Sequence, residues 1–424
     1  MVGKKVIRVL LIAYAYPPLW EAQSVRWYYL SRELAKAGLE IDVLTIEYPG
    51  EIEAYPGIKI YRTFPGPFNR LVYKALSRTS VFSGEVRRSA RFRLLKKIYR
   101  GVRRTLEGIA FGDTRNEWLP IAYLYALKLI KERNHHLLIT SHEPMVDTLL
   151  GLILKRKLGI KWIADLGDPI CAGYYPAFWK PILRRIERTV LFRADKVLVT
   201  NELLREVYAK DFLVPKERLL VITQGFDLEF FEAQKKRDRK RGEKFTLAYT
   251  GSFYRGFRDP AVLVESLKKL PFDYELWLAG RIEGFLPAFD GLKDKVKYFG
   301  VLPHGKVLEL QARADVLIYL GNKLKSQVPG KFYEYLGSRK PILCVVQKED
   351  DPVVKIVNEA KVGVVCRSIA EEISKKMEFL YDLWVKGRLE DEFTFDENRL
   401  REFSWQHQAE KILKEVESML KGLS

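Results

Sequence analysis

Residues 328–346 carry the clearest chemical signal in this sequence. Pro329 and Gly330 form a predicted loop, a short helix begins at Lys331, and Pro341 opens a buried strand. Free N–H groups and a partial positive charge make a helix N-terminus favourable for an anion. Glu334 lies in the first turn, where it could accept hydrogen bonds from two ligand hydroxyls. An anion held beside hydroxyls suits a nucleotide-sugar diphosphate, although an early Glu can also simply stabilise the helix dipole.

A second candidate anion site lies between Tyr249 and Pro260. Two glycines and two arginines follow a predicted strand there, where phosphate is commonly bound. Arg255 or Arg258 could pair with a diphosphate through charge-assisted hydrogen bonds, and Asp259 fits the N-cap of the next helix. The alternative is a tight turn with solvated arginines. Because the carboxyl ends of parallel strands share one edge, we expect the two candidate sites to converge.

The first half of the chain offers polar residues at the ends of predicted strands. His142 could bond a sugar hydroxyl or act as an acid or base, and Asp168 could hold or deprotonate an acceptor hydroxyl. Capping and turn chemistry remain the alternative for both, since Asp before Pro is a common turn signal. The loop after the first strand adds three residues that open toward a predicted cleft: Glu21, Gln23 and Arg26.

The formal net charge of +19 favours an anionic partner. Residues 87–104 hold nine Lys or Arg and no acid, and apolar residues recur at helical spacing through 94–102. Such a basic amphipathic helix is typical of binding to an anionic membrane surface, here through Arg91, Lys96, Lys97 and Arg100. The alternatives are a helix packed on its own domain and a nucleic-acid site, but no nucleic-acid module accompanies the charge.

Several classes of protein are disfavoured by missing motifs. No GxGxxG follows a strand, and P-loop, HExxH and GxSxG patterns are absent. The three cysteines are too widely spaced for a zinc site or a disulfide framework, and a reducing compartment is consistent with them. No signal-peptide pattern and no apolar run of about 18 residues, which a spanning helix needs, occurs.

Strands alternate with helices along both halves of the chain, which predicts a doubly wound parallel α/β sheet in each. With 424 residues, the chain is also too long for one typical core. The highly charged segment 232–244 indicates a solvated loop or interdomain segment. We expect domains at 1–226 and 227–403 that face each other across a ligand cleft.

The order of several short motifs resembles that of GT-B glycosyltransferases of family 4, the retaining nucleotide-sugar transferases. The resemblance covers nearly the whole chain. The pieces that carry it are residues 16–18, 30–38, 43–45, 193–200, 224–227, 249–252, 314–318, 330–334 and 403–405. The family implies two Rossmann-like domains, with the first on the acceptor side and the second binding the donor, and a final helix, 404–424, that crosses back onto the first domain.

The resemblance also implies roles for individual residues. Glu334 matches the second of two family glutamates and would hold the nucleotide ribose, whereas the first, which contacts the donor sugar, is replaced by Ser326. A family histidine falls near Gly167, beside Asp168. Basic side chains and a helix N-terminus would stabilise the leaving diphosphate, so no metal or cofactor is expected. The full donor set implied is Gly251, Ser252, Arg255, Arg258, Ser326, Val328, Pro329, Gly330, Lys331 and Glu334.

Together these features predict a cytoplasmic enzyme, peripheral on the inner face of the cell membrane. It would move a sugar from a nucleoside diphosphate, UDP rather than GDP, to a lipid-linked or glycan acceptor, as in polysaccharide biosynthesis. Two alternatives remain: a GT-B nucleotide-sugar epimerase, and a non-catalytic scaffold that binds nucleotide sugar or membrane.

Overall fold

The chain divides into two compact units in a computed structural model. The first comprises Met1–Thr223 and Ala409–Ser424, and the second comprises Gln224–Gln408. The structure describes residues 6–81, 113–171, 176–235, 242–321 and 328–421. The predicted membrane helix with Arg91, Lys96, Lys97 and Arg100 lies outside the described residues, and so does Ser326.

The first unit is built on a parallel sheet. Its described strands are β1 (Arg8–Ile12), β2 (Glu40–Ile46), β3 (Ile58–Thr63), β4 (Leu137–Thr140), β5 (Lys161–Leu166), β6 (Lys196–Val199) and β7 (Leu219–Val221). They lie in the order β3-β2-β1-β4-β5-β6-β7, with every neighbouring pair parallel. Its described helices are α1 (Ala22–Lys36), α2 (Pro67–Val81), α3 (Leu119–Arg133), α4 (Met145–Leu158), α5 (Lys180–Arg193) and α6 (Glu202–Asp211).

The second unit repeats this strand order. Its described strands are β8 (Phe245–Thr250), β9 (Tyr274–Ala279), β10 (Val296–Tyr298), β11 (Val316–Leu320), β12 (Ile342–Val346) and β13 (Gly363–Arg367). They form a parallel sheet in the order β10-β9-β8-β11-β12-β13. In each sheet the chain first builds outward and then returns to the other side of its first strand. The predicted fold class, a doubly wound parallel sheet in each half, is confirmed.

Helices flank the second sheet as well. They are α7 (Leu228–Lys235), α8 (Ala261–Lys268), α9 (His304–Arg313), α10 (Gly330–Ser338), α11 (Pro352–Ala360), α12 (Ala370–Val385), α13 (Leu389–Glu392), α14 (Glu397–Arg401) and α15 (Trp405–Leu420). From Ala409 onward, α15 belongs to the first unit. No helix within the described ranges is both long enough and apolar enough to cross a membrane.

The helical pattern of residues 397–420, taken without the family resemblance, predicts one continuous helix, and this prediction is wrong. The chain breaks between α14 and α15 because backbone groups there pair with Phe226 instead. Phe226 N–H donates to the Phe403 carbonyl at 3.2 Å, and Trp405 N–H donates to the Phe226 carbonyl at 3.0 Å. These bonds fix the start of α15 beside the segment that precedes α7.

Each unit has its own apolar core. All six residues of β8 are buried, as are all five of β11 and all five of β12. A strand that is buried on both faces is expected in a parallel sheet covered by helices, and it explains the continuous apolar runs in the sequence. The polar residues available for chemistry therefore lie at the strand ends.

Candidate functional site

The two predicted anion loops lie at one place in the second unit. One follows β8 and the other precedes α10 after β11, and these two strands are neighbours in the sheet. Between β8 and β11 the chain changes direction across the sheet, which is where open α/β sheets bind ligands. A hydrogen bond joins the two segments: the Tyr335 hydroxyl on α10 accepts from Thr250 N–H at 3.0 Å.

Two glycines, Gly251 and Gly280, allow the backbone to pack closely at this site. Gly251 has φ = +120° and donates its N–H to the Ala279 carbonyl at 2.8 Å. A Cβ at Gly280 would lie only 2.1 Å from the Gly251 carbonyl oxygen, so the loop after β8 can lie against the end of β9 only if Gly280 has no side chain. The surface offered to a ligand there is therefore backbone.

Glu334 is held by two side chains of α9. Its Oε1 lies 2.8 Å from His304 Nε2, and its Oε2 accepts from Gln311 Nε2 at 3.1 Å. Burial raises the pKa of the Glu334 carboxyl, but the charge and hydrogen bond of His304 and the bond from Gln311 outweigh it, so the pKa is lowered overall. Burial lowers the pKa of His304, yet the Glu334 carboxylate raises it above its ordinary value. Each group therefore favours the charged form of the other.

Gln311 links this pair to the loop after β8. Its Nε2 also donates to Thr250 Oγ1 at 3.0 Å. Each oxygen of a carboxylate can accept more than one hydrogen bond, so Glu334 keeps acceptor capacity toward a ligand. His304 and Gln311 therefore fix the carboxylate's orientation and leave it able to accept from a hydroxyl pair.

Lys331 brings a buried amine to the same place. Its Nζ lies 3.7 Å from the ring centroid of Tyr249 and 3.4 Å from where a Cβ on Gly251 would stand. Within the described residues this buried atom has no hydrogen-bond partner. Burial, and then the charge of Arg258, lower the pKa of Lys331 well below its ordinary value, while Glu334 opposes the shift. An anion entering here would supply the acceptor that the amine lacks.

The two arginine candidates differ in placement. Arg258 is buried, with its guanidinium 6.0 Å from the Tyr254 ring centroid, and its charge acts on Lys331. Arg255 is exposed at the outer part of the loop. The structure thus places Arg258 nearer than Arg255 to the converging residues. The other predicted donor residues are partly buried at the strand end and helix start: Ser252, Val328, Pro329 and Gly330.

In the first unit, His142 follows β4 at the corresponding turning point of the sheet, between β1 and β4. It is buried, with its Nδ1 3.3 Å from Thr148 Oγ1. Burial, followed by the charge of Arg115, lowers the pKa of His142 to about 4. The imidazole is therefore neutral at neutral pH, so it can accept a proton or a hydrogen bond but cannot serve there as a general acid.

Gln23 and Asp168 lie close along the same edge. The Gln23 Nε2 atom sits 1.6 Å from where a Cβ on Gly167 would stand, so the amide packs on the backbone next to Asp168. Gln23 Oε1 is buried without a hydrogen-bond partner in the part of the chain that the structure describes. Asp168 is partly exposed, and Glu21 is exposed with its carboxylate 3.8 Å from Arg115.

The prediction that Arg26 faces an acceptor is wrong. Its side chain is fully buried, and its guanidinium forms two bonds to Asp165, at 2.8 and 3.0 Å. It also donates to the backbone carbonyls of Thr223 and Ile222 at 2.7 and 3.0 Å. Arg26 therefore ties α1 to β5 and to the end of the first unit's main segment, and it has no surface to offer a ligand.

Several residues at these sites were not predicted from the sequence. His304 and Gln311 lie seven positions apart, on one face of α9, and this spacing is the signal that could have found them. In the first unit, Arg115 is paired with Asp113 at 2.6 Å, and burial raises the pKa of Asp147 well above its ordinary value. Asp147 accepts from Tyr14 N–H at 2.9 Å, while its other oxygen has no partner among the described residues.

In the described part of the chain, no group of three or more His, Cys, Asp or Glu is arranged to hold a metal ion. The expected absence of a metal or cofactor stays a prediction.

Two Rossmann-like units with the same strand order and a candidate ligand site at the turning point of the second define the GT-B class of proteins. Residues 23–230 match the model of Glycosyltransferase Family 4. The family 4 model therefore matches just under half of the chain, and the two units together have the GT-B fold.

Solved structures share this fold over nearly the whole chain. Sucrose-phosphate synthase (tll1590) from Thermosynechococcus elongatus has a TM-score of 0.70 at 16% identity, covering 98% of this chain and 100% of its own. Anabaena Alr3699/HepE in complex with UDP and glucose has a TM-score of 0.64 at 12% identity, covering 97% and 100%. A putative UDP-N-acetylglucosamine 2-epimerase from Listeria monocytogenes has a TM-score of 0.58 at 11% identity, covering 98% and 97%.

A search of curated protein sequences finds no significant match.

Proposed function

We propose that the second unit binds the nucleoside diphosphate of a nucleotide sugar, and that the enzyme transfers the sugar with retention of configuration. The observation that carries this proposal is the juxtaposition of Glu334 with Lys331 at the turning point of the sheet. Glu334 is held ionised by His304 and Gln311, and Lys331 Nζ is buried without a hydrogen-bond acceptor among the described residues. The carboxylate suits the ribose hydroxyls, and the amine suits the diphosphate.

The chemistry asked of the second unit is stabilisation of the leaving diphosphate. Lys331, Arg258 and the N-terminus of α10 would place positive charge where negative charge develops as the glycosidic bond breaks. Lys331 would be most effective once a bound diphosphate favours its protonated form. Attack by the acceptor on the face that the diphosphate leaves requires no protein nucleophile.

The first unit would then bind the acceptor, which we propose is lipid-linked or a glycan. The neutral His142 can accept a hydrogen bond from a sugar hydroxyl, and Asp168 is partly exposed beside Gln23. The high net positive charge supports a peripheral location on the inner face of the cell membrane, in the cytoplasm.

UDP is the proposed donor nucleotide. Support comes from the HepE structure of the same fold, which is a complex with UDP and glucose. The alternative of a nucleotide-sugar epimerase is supported by the structural likeness to the putative Listeria epimerase. A scaffold without activity is the remaining alternative. Transfer to an added acceptor, epimerisation of the sugar, or neither, separates the three.

The test is turnover of a panel of UDP-sugars, with release of UDP measured for wild type, Lys331→Met and Lys331→Arg. We expect kcat to fall by about 100-fold or more in Lys331→Met, because one donor to the developing charge is lost, and to be partly restored by Lys331→Arg. Lys348→Met, which removes an exposed amine of the same unit, is the matched control and should keep wild-type turnover. Unchanged turnover in Lys331→Met would refute the assigned role.

A further inference from the structure

Helix α5 of the first unit has an unusual outer face. Its inner face packs on the sheet through Leu183, Val190 and Leu191, which are fully buried. Its outer face exposes apolar side chains, with Phe178 64% exposed just before the helix and Ile182 43% exposed within it. Phe192 is 41% exposed near the helix C-terminus.

Two of these apolar residues share one side of the helix with polar ones. Ile182, Arg185, Thr189 and Phe192 follow each other at intervals of three or four, and Phe178 lies in the turn just before the helix. Exposed apolar side chains are ordinary when scattered singly. Exposed apolar side chains that alternate with cations on the outward face of one helix are the pattern of an element that lies on a membrane surface.

The outer face is also strongly basic. The exposed cations of this helix are Lys180, Arg184, Arg185, Arg188 and Arg193. Within the described ranges, none of them forms an ion pair. Arg184 and Arg188 lie instead over the rings of Phe212 and Phe192, at 5.3 and 5.9 Å from the ring centroids.

The one acid of α5 is turned away from this outer face. Glu187 is buried and accepts from Ile170 N–H at 2.8 Å and from the Tyr208 hydroxyl at 2.9 Å. Tyr208 belongs to α6, so the two helices pack side by side. Beyond α6, Leu213 is 76% exposed, which adds apolar surface next to the same helix pair.

We propose that the outer face of α5 is a docking surface for an anionic phospholipid bilayer. We call it the α5 face and define it as Phe178, Lys180, Ile182, Arg185, Arg188 and Phe192. Its cations would bind lipid headgroups, and its apolar side chains would enter the boundary of the acyl region. The exposed Phe178, Ile182 and Phe192 favour lipid over nucleic acid, whose backbone would use the cations alone.

The α5 face starts close to the candidate acceptor loop. β5 ends at Leu166, Asp168 follows, and α5 begins at Lys180, so the first turn of α5 lies at the strand-end edge of the first sheet. A bilayer on the α5 face would hold a lipid-linked acceptor near this edge. This last step depends on the proposed function, whereas membrane docking itself does not.

The test uses full-length protein and vesicles of phosphatidylcholine with 30% phosphatidylglycerol as the probe, about 30% being enough for a negative surface potential. The variant Lys180→Glu/Arg185→Glu/Arg188→Glu reverses three charges of the α5 face. The matched control, Lys375→Glu/Lys376→Glu/Lys386→Glu, reverses three exposed charges of the second unit. Co-sedimentation gives the partition coefficient, and circular dichroism confirms that both variants are folded.

We expect wild type to bind the anionic vesicles and the α5 variant to bind on the order of 100-fold more weakly, since each Lys or Arg near the surface contributes roughly fivefold. The control variant should lose far less of its binding to the vesicles. Ile182→Ser/Phe192→Ser, which keeps every charge, should also weaken binding, because the apolar contribution is lost.

Three outcomes would overturn the proposal. One is equal losses in the α5 variant and the control, which would show that net charge alone drives binding. Another is loss of binding only on reversing Arg91, Lys96, Lys97 and Arg100. The third is that wild type does not bind the vesicles. Loss of self-association or of RNA binding in the α5 variant would then identify a different partner for this face. Nucleotide binding is measured on the same samples, so failure of docking with intact nucleotide binding removes the proposed membrane location and leaves the proposed donor site standing.

Discussion

The ionised state of Glu334 depends on one histidine. His304 lies 2.8 Å from its carboxylate, and each side chain of the pair is only 15% exposed. A charge this far from water requires a close partner of opposite sign. The carboxylate therefore serves a ligand only while His304 and Gln311 hold it, and this makes His304 a positioning residue for the proposed ribose contact.

The pair predicts a pH dependence of stability. The raised pKa of His304 means that its contribution is complete below its unfolded pKa of about 6.5 and is lost as pH rises through the higher folded value. The lowered pKa of Glu334 means that its contribution is present above about 4.3 and is lost as pH falls through the lower folded value. The stabilisation is therefore greatest between about pH 4.3 and 6.5.

His304→Asn should reveal this dependence. We expect it to lower the stability of the second unit by about 1–3 kcal/mol near pH 6, because Glu334 loses a charged hydrogen-bond partner. The difference from wild type should shrink as pH rises above 6.5, and differential scanning calorimetry across pH 5–9 measures it. A difference that grows with rising pH would contradict the assignment. Glu334→Gln/His304→Asn serves as control and should show no such trend.

At the scale of elements, Arg26 and Asp165 join distant parts of the first unit. Both side chains are fully buried, and Trp27 Nε1 adds a bond to Asp165 at 2.8 Å. A buried pair of this kind does not by itself prove stability, but breaking it leaves an uncompensated charge in the core. The first turn of α1 is thus fastened to β5.

Arg26→Met should lower the stability of the first unit by about 3–5 kcal/mol, because Asp165 is left buried and unpaired. Arg26→Met/Asp165→Leu should recover part of that loss, since no charge then remains. Calorimetry is the suitable measurement because two units need not unfold as one two-state transition. The interpretation would be wrong if Arg26→Met unfolded like wild type, or if the double variant were less stable than the single one.

The sequence predicts elements well where their signals are local. Strand-and-helix alternation led to both sheets, and Pro-Gly before Lys331 marked the start of α10. Helix α2 was missed because its N-terminal N–H groups are capped from far away. Glu117 accepts from Phe68 N–H at 3.2 Å and from Asn69 N–H at 2.7 Å, almost fifty positions along the chain. The edge strand β13 was also missed.

The residues of the candidate site also divide into those with local sequence signals and those placed by distant contacts. Glu334 and Lys331 follow from strand-end and helix-start patterns, and their order supports the family resemblance. His304 lies 30 positions from Glu334, and Arg26 lies 139 positions from Asp165, so neither contact leaves a local signal. Arg26 was assigned to an acceptor because the loop after the first strand was expected to open toward the cleft. Only the tertiary fold reveals its buried partner.

At the scale of the molecule, the two units carry different proposed tasks. The second gathers its candidate donor residues at one turning point, whereas the first carries candidate acceptor residues and the basic α5 face. The central claim is that Glu334 and its neighbours form a nucleotide site.

That claim is tested most directly by calorimetric titration of the folded protein with UDP, GDP and ADP, for wild type, Glu334→Ala and the control Glu309→Ala. We predict micromolar binding of UDP by wild type and by the control. Glu334→Ala should bind about 10- to 100-fold more weakly, because charged hydrogen bonds to the ribose are lost. Equal affinity of Glu334→Ala and wild type, or no binding of any of the three nucleotides, would contradict the account.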